Sequence, residues 1–337
     1  MPAPGEGRIR CQQTARRLHQ TIESAYPLKI ISPQAIPNSG GSPRNGLVPA
    51  VSYILTYGGG IVHGDQIHVT VQVGQGCGLM LLTQGSTKVF HRSTKGQQRL
   101  SYLTNEKLDA IAMHGKDQSY QTLLVDVEDG ALCCLLPDPV TCFRGAMYNQ
   151  RQAIRLHDPG TSSLVLLDWM TSGRMSRGER WDFDKYFSVN IVSVLSPGTL
   201  PPMSQDQWMA DSRIIIRDAL LLGSQNTHVP WYRRLESIDV FAYLLVLGPA
   251  VAPIAERFRA QHRDHRIRPF RPTDGTGVGD EGDVVWSVSE IDELGVKGVA
   301  VRIAGPDTET VKSWIKRRLD PIRFILGESA WSMYYNA

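Results

Sequence analysis

The chain has 337 residues, with 36 basic and 33 acidic side chains, a net charge of +3, and 42% hydrophobic content. That length suffices for one large domain or two modest ones with a real core, and so balanced a charge without a basic tract excludes nucleic acid as a natural partner. No apolar leader lies between Met1 and Gln13, and Val240 to Ala255 is too short and too broken by Gly248, Pro249 and Pro253 to cross a bilayer, so the chain reads as soluble and cytoplasmic, with no membrane partner.

In chain order, Arg8 to Ser24 fits a basic helix or a strand equally well. Tyr26-Pro27-Leu28-Lys29-Ile30-Ile31 enters a strand, because proline fixes its own φ and pushes its predecessor away from helix. Pro37 to Pro43 has the composition of a flexible loop, and Val51 to Tyr57 is a β-type run. The glycine cluster Tyr57-Gly58-Gly59-Gly60-Ile61-Val62-His63-Gly64-Asp65 follows. Ile67, Val69, Val71 and Val73 then alternate with polar residues, which gives a strand one apolar face. Gly74 to Gly78 reads as a turn, Leu79 to Thr83 as a strand, Gln84-Gly85-Ser86 as a turn, and Thr87 to Arg92 as a further β segment.

A polar stretch from Ser93 to Ser119 has room for a short helix near Glu106 to Met113. Strand character returns at Leu123, Val125 and Val127, and again at Ala131 to Leu136, which Pro137-Asp138-Pro139 ends. Leu164 to Trp169 is apolar on both faces, as a strand covered on both sides must be. Gly173-Arg174-Met175-Ser176-Arg177-Gly178-Glu179-Arg180 is a compact charged turn. Phe187, Val189 and Ile191 alternate, and Ile214 to Ile216 is β-branched. Helical signals are confined to the last third. Pro249 to His262 offers one helix, and Asp307 caps another that runs to about Leu326. Arg268 to Asp283, rich in Gly, Pro and Asp, reads as a mobile loop between them. Many short strands with about two late helices describe a mainly β fold.

The chemistry-bearing motifs are mostly missing. The glycine cluster matches neither the P-loop, since Asp65 follows Gly64 where a lysine is needed, nor G-x-G-x-x-G, since His63 stands at the third glycine. There is no G-x-S-x-G elbow, no H-E-x-x-H and no CxxC; Ser313 and Lys316 match S-x-x-K only in mid-helix. Five cysteines (Cys11, Cys77, Cys133, Cys134, Cys142) form no framework, and the adjacent pair points to opposite faces of a strand. Two acids stand out. Asp65 and Glu179 each sit at a tight turn, from which a carboxylate can be aimed into a cavity to meet a cation or can simply bond the turn's own amides.

The glycine cluster, Leu82-Thr83-Gln84-Gly85-Ser86-Thr87-Lys88-Val89-Phe90, Leu135-Leu136-Pro137-Asp138-Pro139-Val140-Thr141-Cys142-Phe143 and Asp168 to Glu179, in that order, resemble the urease accessory protein UreD (UreH) family, in its fungal or plant branch. Tyr26 to Lys29 fits the same pattern. The turns that carry the resemblance include Gly58, Gly59, Gly60, Gly64, Gln84, Gly85, Thr87, Lys88, Pro137, Asp138, Gly173, Arg174 and Gly178. His63 and the length of Ser93 to Ser119 depart from it. The resemblance implies a β-helix-like stack of strands over 26–337, after an N-terminal segment 1–25 that it does not describe. It implies a non-enzymatic scaffold with no tightly bound cofactor. Such a scaffold binds a UreF-like protein and, through it, a UreG-like GTPase, and docks on apo-urease to deliver nickel(II) along an internal route. Asp65 and Glu179 are the residues expected to meet nickel in transit. The other readings are a β-helical enzyme acting on carbohydrate with these two acids as its pair, and a plain interaction module.

Overall fold

In a computed structural model the described residues are 2–15, 17–33, 46–91, 118–196, 212–223, 235, 237–267 and 283–335. The expected loops at 37–43 and 268–282 and the helix at 106–113 lie outside them.

The strands in chain order are β1 (Glu6–Thr14), β2 (Arg17–Ser24), β3 (Leu28–Ile31), β4 (Val48–Thr56), β5 (Gln66–Val73), β6 (Cys77–Thr83), β7 (Thr87–Val89), β8 (Ser119–Val127) and β9 (Leu132–Leu135). They continue as β10 (Val140–Cys142), β11 (Met147–Leu156), β12 (Ser163–Thr171), β13 (Lys185–Leu195), β14 (Ser212–Gly223), β15 (Val240–Leu247), β16 (Val285–Glu293) and β17 (Val296–Gly305). The segment 8–24, open between helix and strand in the sequence, is the hairpin β1–β2, and β1 adds in parallel to β5.

From β4 onward the chain winds between two sheets. One sheet stacks β4, β6, β9 and β12 in parallel, and the other stacks β5, β8, β11 and β13 in parallel. Each coil thus contributes one strand to each sheet, the arrangement of a β-helix. A narrow third face joins them at one corner, where Ile61, β7, β10 and the end of β12 stack in parallel. Antiparallel strands close the stacks: β14 beyond β13, and β15, β17 and β16 beyond β12.

The alternation of β5 puts Ile67, Val69, Val71 and Val73 into the space between the sheets, each at most 1% exposed. The sheet of β4, β6, β9 and β12 is covered twice, by the sheet of β5, β8, β11 and β13 on one side and by helices on the other. Leu164, Leu166, Leu79 and Cys133 face inward, while Val165, Leu167, Met80 and Cys134 face the helices. This double cover explains why these strands read as unbroken apolar runs.

The cover is four helices, α1 (Ala252–Ile267), α2 (Thr308–Leu319), α3 (Ile322–Leu326) and α4 (Glu328–Tyr335). Asp307 caps α2 by accepting from Thr310 N at 2.8 Å, as its sequence position implies. The single helix expected over 307–326 is divided after Leu319. Pro321 offers no N–H to the helical ladder, and the backbone there tightens to Arg323 N–Asp320 O and Phe324 N–Pro321 O bonds. Gly78 is also not a turn residue; it lies in β6, and a Cβ there would sit 2.3 Å from Leu326 Cδ2. All five cysteines are free and buried, and burial pushes the Cys11 thiol to about 12 and Cys77 to about 11.

Candidate functional site

The turns singled out in the sequence gather at the corner beside the narrow third face. Gly58 and Gly59, in a short 3-10 turn at Tyr57–Gly59, take positive φ and face open space. Gly60 is needed for a different reason: a Cβ would meet Lys88 O at 2.4 Å and the Phe90 ring at 2.6 Å. Gln84 and Gly85 precede β7, which contains Thr87 and Lys88. Pro137 and Asp138 lie between β9 and β10. Asp138 knits three segments together: its N–H donates to Thr83 Oγ1 at 2.8 Å, Gly85 N donates to its Oδ2 at 3.0 Å, and Lys312 Nζ on α2 pairs with its Oδ1 at 2.8 Å.

The two acids expected to meet a cation are held by protein donors. The Asp65 carboxylate accepts Val62 N at 2.8 Å and so closes the turn 62–65, with Gly64 at φ +85°. Glu179, 7% exposed, forms a two-point pair with Arg174 at 2.8 and 2.5 Å and accepts Arg144 N at 3.3 Å. The Arg174 hydrogen bond holds the Glu179 carboxyl below its usual value. Arg174 itself lies 3.8 Å over the Phe143 ring, and Gly178 ends the turn in the left-handed region. Neither acid lines any of the three cavities described next.

Three cavities run through this corner. A recess of about 100 Å³ opens at Gly59, Gly60 and Gln84 to Thr87. Through Thr83, Thr87 and Gln121 it adjoins a small chamber of about 30 Å³ between the sheets. At Asp138 the chamber adjoins a groove of about 670 Å³ bordered by Gly173, Thr171 and Lys312. One wall of the chamber is polar. Asp168, on the inward face of β12, accepts Gln150 Nε2 at 2.9 Å, Ser188 Oγ at 2.6 Å and Asn190 Nδ2 at 2.7 Å. Tyr148 O–H lies 3.0 Å from Gln150 Oε1 and 3.2 Å from Gln121 Oε1. Among the described residues no basic side chain pairs with Asp168, and burial raises its pKa despite the bonds from Ser188, Asn190 and Gln150.

Asp168, Gln150, Gln152 and Gln121 were not singled out in the sequence. The available signal was a lone carboxylate inside the run Leu164 to Trp169, where a strand covered on both faces has no solvent for it.

A family model described as UreD urease accessory protein matches residues 3–333. The chain belongs to the UreD family. Among curated UreD proteins, it is 31% identical to the urease accessory protein 4 of Cryptococcus neoformans over 97% of this chain and 94% of that one. It is likewise 31% identical to the urease accessory protein D of Oryza sativa subsp. japonica, with the same coverage. A bacterial UreD, from Sorangium cellulosum, is 31% identical over 90% of this chain and 74% of its own length. The fungal and plant relatives agree with the branch that the motifs suggested, and their shared name places this UreD chain in urease maturation. Among the described residues no helix is long and apolar enough to cross a membrane.

Proposed function

We propose that this protein is a non-enzymatic, cytoplasmic scaffold of urease maturation that joins a UreF-like protein and a UreG-like GTPase on apo-urease and guides nickel(II) to its active site. Nickel is cargo here, and the chain retains no tightly bound cofactor. The observation that supports the reading best is the row of three adjoining cavities at the corner built from the family's turns, in a chain matched to UreD over 3–333. A metal ion crossing the protein needs polar groups that replace part of its water without trapping it, and carboxylates and amide oxygens offered singly do this. In this reading Asp65 and Glu179, each holding a turn outside the lining of the three cavities, exchange a protein donor for a passing ion.

The test is co-expression of urease with its accessory set, with nickel measured per active site. Wild-type chain is expected to support full loading and to co-purify with the UreF-like protein and urease. The Glu179→Ala and Asp65→Ala chains are expected to enter the same complex and leave urease under-loaded. Full loading without this chain present would overturn the maturation reading, and full loading with both variants would remove the two acids from it.

A further inference from the structure

The outer face of the sheet of β5, β8, β11 and β13 carries two cations that the chain itself does not neutralise. Gln150 and Gln152 point inward, so Asn149 and Arg151 on the same strand point outward; by the same alternation Lys185 and Phe187 face outward from β13. Arg151 is partly buried. Its Nε is out of solvent with no acceptor, and among the described residues no carboxylate pairs with it. Arg155, further along the same face of β11, shows the usual arrangement, since its guanidinium pairs with Asp126 at 2.6 Å. Lys185 has only Gln118 Oε1, at 3.2 Å, and the Phe187 ring. Burial lowers its pKa, and no acid opposes the shift. Between the two cations Asn149, 4% exposed, leaves its Oδ1 without a donor.

A charge drawn partly out of water and left unpaired destabilises the chain that carries it, and that cost is recovered only when an opposite charge arrives. Three unmet polar groups on one patch are therefore better explained by a bound state than by the folding of this chain. We propose that this face docks an acidic segment of a protein partner, with one carboxylate on the Arg151 guanidinium and a second on the Lys185 ammonium. In register Arg151 stands beside Val189, four residues along β13 from Lys185. The two carboxylates thus lie about 13 Å apart, the spacing of positions i and i+4 in an extended segment. The apolar cluster of Leu124, Ala153, Val189 and Ile191 borders the patch on the same face and keeps the pairs partly dry, which strengthens them. The inference rests on the scaffold reading and gives it a surface and a partner chemistry; the chamber, Asp65 and Glu179 have no part in it.

The test uses the full chain reconstituted with the UreF-like protein and apo-urease. A carbodiimide condenses the Lys185 amine with a partner Asp or Glu: an amide forms while the reagent takes up the elements of water and leaves as a urea. Peptide mapping is expected to find that bond. Lys185→Arg keeps the charge, so it should lose the coupling and hold the complex. Arg151→Met is expected to weaken the complex about tenfold or more, a difference that shrinks as salt rises. The same substitution should leave the thermal midpoint of the isolated chain equal to or above wild type, because an unpaired charge has gone. A fall in both stability and association would mark Arg151 as a folding residue and overturn the docking face. So would an unchanged complex in Arg151→Met, or no coupling of Lys185 to a partner carboxylate. Binding of wild type to vesicles containing phosphatidylserine, lost in Arg151→Met, would assign the face to a lipid surface instead. A wild-type chain that joins neither protein sinks the scaffold reading and this face with it, whereas a wild-type complex indifferent to Arg151→Met sinks the face alone.

Discussion

The space between the two sheets has two halves of opposite character, built from the same strands. Toward one end, β8 offers Val125 and Val127, β11 offers Ile154 and Leu156, β12 offers Leu164 and Leu166, and β13 offers Val192 and Val194, all close to 0% exposed. Toward the corner, the same four strands offer Gln121, then Gln150 and Gln152, then Asp168, then Ser188 and Asn190. The parallel register of β8, β11 and β13 runs unbroken through both halves. Alternation therefore settles which residues face inward, and the chemistry of those residues decides whether the interior is a zipper or a chamber. The apolar half holds the coils together. The polar half is expected to draw its stability from that neighbour.

The comparison can be broken most severely in the apolar half. Leu166→Ala removes a fully buried side chain two positions from Asp168 on the same face, and about 2–5 kcal/mol of unfolding free energy should go with it, read from denaturant melts. In the polar half, Ser188→Ala deletes one charge-assisted donor to Asp168 and should cost less, about 1.5–3 kcal/mol by the same melts. A loss in Ser188→Ala larger than in Leu166→Ala would show that the polar half, and not the zipper, anchors the stack.

Substituting the carboxylate itself should be milder still and dependent on pH. The folded-state pKa of Asp168 lies above the ordinary 3.8, so in the window from 3.8 up to that raised value the folded chain binds more protons than the unfolded one. Stability from this group is full below 3.8 and falls as pH rises through the window. Asp168→Asn should thus flatten that fall and match or exceed wild type near neutral pH; a variant that melts with the wild-type pH slope would contradict this assignment. Glu179 has the opposite sign. Its pKa is depressed below 4.5 by Arg174, so its contribution is present above 4.5 and is lost as pH falls through the depressed value. Glu179→Gln should blunt acid unfolding by a small amount, because the Arg174 side chain is still about one quarter exposed and water screens the pair.

The sequence made much of the β framework legible and little of the chamber. β5 was readable because four apolar residues alternate on a strand with one wet face, and β12 because both its faces are covered. The hairpin β1–β2 was not, since Arg8 to Ser24 lacks a strong period and its strand state is set by pairing with β5, which is distant in sequence. The break at Pro321 was available locally but was masked by Ile322 continuing the helical spacing of Leu319. Asp168 and its amide neighbours come from strands up to 22 residues apart in their pairwise bonds, or further through Gln121, and only the coil brings them together. Asp65 and Glu179 drew attention because turns are visible in a sequence, whereas a polar spot inside a stack of strands is visible only when the strands are superposed.

The helical cover has a consequence for how the chain is made. Helices α2 to α4, which seal the outer face of the sheet of β4, β6, β9 and β12, are synthesised after the strands they cover, and the Tyr53 hydroxyl on β4 bonds Met333 O across 280 residues. Until those helices emerge from the ribosome, Met80, Leu82 and Cys134 on that face lack the cover that α2 to α4 give. A nascent chain that has already wound its coils therefore presents a broad greasy sheet until α2 to α4 follow. Its safe passage depends on how soon those helices follow or on a chaperone that shields the sheet until α4 docks.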